Sequence, residues 1–162
     1  MVSIAREPVK KLLGYAVQAE IDANKLYTKL SNRVKNLLLK EKFRVLAFEE
    51  KKHKSMLENL FNTLYPGQTI QVPDSVDERL LPSVRLRPSS TLAEILYQAM
   101  IAEKSAQNFY ASLAKKVGPS KKKVLAYLSK VERSHFLMLQ SEYTLALQFE
   151  DYAEKDIDKV IT

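Results

Sequence analysis

The sequence predicts an all-α fold: a four-helix bundle built as two antiparallel hairpins joined by a long crossover. Three observations predict it. Apolar residues recur at three- and four-residue spacing through four long stretches. No segment alternates apolar and polar residues in the way a half-buried strand would. The stretch from residue 65 to residue 90, carrying Pro66, Pro73, Pro82 and Pro88, divides the four helical stretches two and two. A chain of 162 residues with three glycines and no tryptophan fits one domain, residues 1–162, with a single core.

The helices are expected at about 7–34, 38–64, 91–117 and 120–149. The turn between the first two, near Asn36, is weakly marked. Pro66 and Gly67 end the second, since a proline cannot continue a helix and glycine accepts the left-handed turn that follows one. Thr91 and Glu94 have the spacing of a capping box at the start of the third. Gly118, Pro119 and Ser120 separate the third from the fourth. A short loop makes neighbouring helices antiparallel, whereas a connection as long as 65–90 can travel the height of the bundle and leave helices two and three parallel. The result is two hairpins related by a pseudo-twofold axis.

Composition removes several function classes. The chain has no cysteine, hence no disulfide and no thiolate metal site, and any metal must sit on oxygen and nitrogen ligands. Residues 1–13 are broken by Arg6, Glu7, Pro8, Lys10 and Lys11, so they form neither a signal-peptide core nor a membrane span. No later stretch is apolar for long enough, and the expected location is cytoplasmic with no membrane partner. The net charge of +7 could attract nucleic acid, but the lysines are scattered. The one tight run, Lys121, Lys122 and Lys123, reads as a solvated first helical turn, and a nucleic-acid partner is not expected.

The chemistry lies in a doubled motif. Glu-x-x-His occurs as Glu50 with His53 and as Glu132 with His135, 82 residues apart. Residues three apart share a helix face, so each pair can hold one ion. Each is preceded by a helix with its own inner-face glutamate, Glu20 or Glu103, and each of those stands seven residues before a tyrosine, Tyr27 or Tyr110. Core positions Ala16, Ala23, Leu30, Ala99, Ala106 and Leu113 are expected to flank them, with Met100 as core packing. One Glu-x-x-His alone is more often a solvated surface pair; two copies, each after a core-facing glutamate, point to a dimetal site. Four carboxylates carry minus four and two divalent ions plus four, so the reduced site is neutral. Without metal, the carboxylates must bind protons or remain unpaired in a low-dielectric core. Oxygen and imidazole donors favour iron or manganese, with zinc also able to occupy such a site. Glu49, about a quarter turn from Glu50, is expected at the surface. Tyr27 and Tyr110 have two readings: phenols donating hydrogen bonds to a ligand carboxylate of the opposite hairpin, or core tyrosines whose hydroxyls reach the bundle edge.

At these residues, and particularly in Ile101-Ala102-Glu103-Lys104-Ser105-Ala106-Gln107-Asn108-Phe109-Tyr110 and Val131-Glu132-Arg133-Ser134-His135, the chain resembles the ferritin-like superfamily and, within it, the diiron domain of the rubrerythrin family. The ligand arrangement of ferritin-like di-iron bundles is a standard example of this fold. The resemblance implies that Glu50 and Glu132 bridge two iron ions, that Glu20 and His53 complete one shell, and that Glu103 and His135 complete the other. These carboxylates, with Tyr27 and Tyr110, are then the residues expected to carry the chemistry. The implied activity is reduction of hydrogen peroxide or dioxygen. Rubrerythrins pass electrons through a rubredoxin-type centre, which a chain without cysteine cannot build, so the implied donor is a separate protein.

Two departures separate the chain from the pattern. Rubrerythrins carry a further glutamate three residues after the third-helix ligand, where Ala106 stands here. The remaining six ligands equally resemble the ferroxidase centre of bacterioferritins, which makes iron oxidation and storage the alternative function. In those proteins the haem methionine would follow Glu50; here that residue is Lys51, and no haem is expected. A third reading makes the metals structural, or the bundle a DNA-protective protein. A homodimer is expected by family likeness, and the long crossover permits exchange of whole hairpins between protomers.

Overall fold

Side-chain caps mark the starts of the second and third helices. In a computed structural model, which describes residue 4 and residues 6–148, four helices follow in order: α1 (Val9–Arg33), α2 (Leu37–Leu64), α3 (Leu92–Ala114) and α4 (Pro119–Gln148). The weakly marked turn before α2 has a clear cap after all, since Asn36 accepts from the Leu39 N–H at 3.0 Å. Thr91 and Glu94 close a reciprocal capping box at α3. Pro119 is the first residue of α4, where its missing N–H has no partner to lose. The third helix is shorter than the 91–117 expected: the N–H groups of Lys115 and Lys116 bond back to Ser112 and Leu113, tightening its end. Phe149, the expected end of the fourth, lies outside the described residues. Gly67 takes a φ of 73°, the left-handed turn that a glycine adopts without a Cβ clash.

The architecture is an all-α four-helix bundle with no strand element among the described residues. The hairpins α1–α2 and α3–α4 pack internally, and α2 meets α4 across the bundle. Two apolar clusters fix the helix directions. One joins Leu12 and Val17 of α1, Leu57 and Phe61 of α2, Phe109 and Leu113 of α3, and Leu125 and Leu128 of α4. The other joins Leu30, Phe43, Ile95, Leu96 and Leu139. The early part of α1 thus meets the late part of α2, whereas α2 and α3 run parallel, which the long crossover makes possible.

That crossover is pinned at several points. On α1, the backbone of Gln71 passes so close to Gly14 that a Cβ there would lie 2.1 Å from its carbonyl oxygen. Leu80 and Leu81 drop into the first apolar cluster. On α3, the Gln98 amide accepts from the Arg85 N–H at 2.8 Å and donates to its carbonyl. The segment therefore spans from α1 to α3 across one face of the bundle. No helix among the described residues is long and apolar enough to cross a membrane.

Candidate metal centre

Between the two apolar clusters lies a layer of buried polar residues. Helix periodicity puts Glu20, Glu50, Glu103 and Glu132 at one height, one from each helix, and adds His53 and His135 one turn after the second and fourth. All six are at most 5% exposed, and all come from one chain. The His53 and His135 rings stack with centroids 5.5 Å apart. His53 Nδ1 lies 2.9 Å from Glu132, 3.0 Å from Glu50 and 3.6 Å from Glu20. His135 Nδ1 mirrors it, 3.1 Å from both Glu50 and Glu132 and 3.6 Å from Glu103. Two overlapping groups result, Glu20–Glu50–His53–Glu132 and Glu50–Glu103–Glu132–His135, each with its donor atoms within 4.8 Å of one another.

These atoms converge at ion-pair distances but without aligned hydrogen bonds. Both oxygens of Glu50, both of Glu132 and both Nδ1 atoms are buried with no aligned hydrogen-bond partner. Buried polar groups are ordinarily satisfied, so six orphans aimed at common points fit cations that would take their lone pairs. An all-oxygen-and-imidazole set, two glutamates being shared, suits first-row divalent metals rather than a closed thiolate zinc site.

In the metal-free layer, protons stand in for the cations. Burial, reinforced by the charges of Glu103, Glu20 and Glu132, pushes Glu50 well above the ordinary carboxylate value. Burial and Glu20 push Glu132 up to about 7 against the pull of the histidines. Burial disfavours charge on His53, but Glu132, Glu20 and Glu50 outweigh it and hold its pKa up at about 12. His135 is likewise raised, burial being overcome by Glu103, Glu132 and Glu50. Glu103 moves down instead: burial opposes this, and His135 together with the Tyr27 hydroxyl prevails.

The two readings left open for the tyrosines separate here. Tyr27 donates to Glu103 and Tyr110 donates to Glu20, each reaching from one hairpin to the other. Burial first, and the facing carboxylates second, raise both phenols well above 10, so each keeps its proton at neutral pH and remains a donor. The outer glutamates are thereby held in orientation by hydrogen bonds from outside the layer.

Two expectations need correction. Glu49 is not at the surface but half-buried, and its carboxylate lies 2.6 Å from His135 Nε2. The reason is geometric: a quarter turn from Glu50 on α2 faces α4, the helix α2 packs against. The corresponding position on α4 is Val131, so no matching carboxylate is available to His53 from there. Ala23 and Ala106 pack against the two apolar clusters but are not fully buried. Both are half-buried and line a cavity of about 320 Å³ that extends from the polar layer between α1 and α3, beneath the crossover. Ala16, Leu30, Ala99, Met100 and Leu113 are buried as expected.

A family model described as Rubrerythrin matches residues 11–143. A hypothetical protein from Pyrococcus furiosus, whose structure is solved, is 33% identical, with a TM-score of 0.79 over 92% of this chain and 98% of its own. No curated protein matches. With the family model covering most of its length, the chain belongs to the Rubrerythrin family.

Proposed function

We propose that this protein is a non-haem diiron-carboxylate oxidoreductase that reduces hydrogen peroxide or dioxygen with electrons from a separate donor protein. The observation that supports this reading is the pair of overlapping donor groups sharing Glu50 and Glu132, with buried atoms lacking any other partner. Glu20 and His53 would complete one ion's shell and Glu103 and His135 the other's. Bound iron would supply one-electron steps between its ferrous and ferric states. The rest is the chain's own work. The apolar clusters above and below the layer exclude bulk water. Tyr27 and Tyr110 fix the outer carboxylates, and Glu49 accepts from His135, fixing which ring nitrogen faces the layer. Manganese or zinc would fit the same donors, and zinc, having no redox chemistry, gives an inert reference. These 162 residues hold no cysteine for an electron-transfer centre, which supports a donor outside them.

Stopped-flow mixing of the ferrous protein with hydrogen peroxide tests the proposal. Oxidation at least tenfold faster than that of free ferrous iron supports it, and equal rates sink it. A second reading, iron oxidation and storage, is favoured by Ala106, which leaves a six-residue donor set. Size-exclusion chromatography separates the two: storage needs a large hollow oligomer, while the oxidoreductase is expected as a homodimer.

A further inference from the structure

The bundle is not filled beside the polar layer. Where α2 and α4 meet, α1 and α3 stay apart, and the 320 Å³ cavity occupies that gap. The four glutamates of the layer, Glu20, Glu50, Glu103 and Glu132, form part of its lining. Much of the remainder is apolar, with Ala23, Leu26 and Ala106 from the helices and Val76, Leu81 and Val84 from the crossover. The exposed residues on its lining include the acidic Asp22, Asp74 and Glu78.

This shape is larger than hydrogen peroxide needs. A volume of about 320 Å³ has room for many water-sized molecules. A two-oxygen molecule that bonds fully to water gains nothing from alkyl walls, whereas an apolar group is stabilised there in proportion to the area it removes from water. Glu78 is paired with Arg85, and the remaining rim carboxylates, Asp22 and Asp74, disfavour an anionic tail.

We propose that the cavity binds the apolar tail of a neutral organic hydroperoxide, with its peroxide oxygens directed to the layer of Glu50 and Glu132. This deepens the peroxide reading and rests on it. In the overall reaction the O–O bond breaks, two electrons and two protons are taken up, and an alcohol and water leave. The electrons are those the proposed reduction already draws from the ferrous pair and, through it, from the one-electron donor protein. The chain's part is to hold the tail against the apolar side chains of the lining.

Two measurements test this. Isothermal titration of the zinc-loaded protein with 2-phenylpropan-2-ol, the alcohol product of cumene hydroperoxide, is expected to show saturable binding in the roughly millimolar range or tighter. Ala106→Leu, filling from α3, and Val84→Phe, filling from the crossover, are each expected to weaken it about tenfold or more. The ferrous protein is then mixed with cumene hydroperoxide and, separately, with hydrogen peroxide. The ratio of the two rates is expected to fall about tenfold in both variants, a ratio that general loss of folded protein does not move. Absence of saturable binding, or binding and rate ratio unchanged in both variants, overturns the inference. Fast oxidation by hydrogen peroxide alone overturns it while leaving the peroxide reading intact; no oxidation by either peroxide overturns both.

Discussion

Loading the centre with metal should expel protons. At pH 7 the metal-free layer holds an extra proton on each histidine, because the surrounding carboxylates raise both. Glu132, with a pKa of about 7, holds about half of another, and burial pushes Glu50 in the same direction. Metal ligation requires neutral imidazole and ionised carboxylate, so at least two protons leave when two divalent ions enter. Each proton contributes about 1.4 kcal/mol per pH unit, so the free energy of binding the pair should become more favourable by about 3 kcal/mol or more per unit near neutrality. The sign in the metal-free protein is opposite. Glu132 has a folded pKa above its ordinary 4.5, so its contribution to stability is complete below 4.5 and is lost as pH rises through about 7. His53 contributes in the same sense, fully below 6.5 and lost as pH rises towards about 12. The apo protein should therefore melt at lower temperature at pH 8 than at pH 6, while metal stabilises it more at pH 8. Isothermal titration of Mn(II) into apo protein, in buffers of different ionisation enthalpy, gives the released protons directly as a slope. Fewer than one proton released would refute the charge balance assigned to the layer.

Three further outcomes follow from single contacts. Glu49→Gln should weaken one of two metal sites by about 10- to 100-fold and leave the other nearly unchanged, because only His135 leans on Glu49; a two-site metal titration checks it. Tyr27→Phe strands a buried oxygen of Glu103 and should cost the apo protein about 1–3 kcal/mol in urea unfolding, unless a water replaces the hydroxyl. Gly14→Ala should destabilise by about 1–3 kcal/mol, reversing the gain of up to about 1 kcal/mol that alanine ordinarily brings to a helix interior, since its Cβ would strike the Gln71 carbonyl; thermal melts of both proteins decide the sign.

Much of the centre was legible in the chain because its ligands are spaced by local geometry. A helix brings Glu50 to the same face as His53 whatever surrounds it, and doubling that pattern after Glu20 and Glu103 leaves few ways to bury four carboxylates except together. The same periodicity defined four helices, and Thr91 with Glu94 marked the start of α3, because caps are contacts within a few residues. What depends on contacts distant in sequence was decided only by the fold. The partners of Tyr27 and Tyr110 lie 76 and 90 residues away, on the opposite hairpin. Glu49 reaches His135 because α2 packs on α4, a fact its own helical position does not contain. Ala23 and Ala106 have the spacing of core residues, yet α1 and α3 stay apart there and the crossover closes the gap, turning the same two methyl groups into a cavity wall. Periodicity determines which residues face inward; the distance between helices determines whether inward means packed or open.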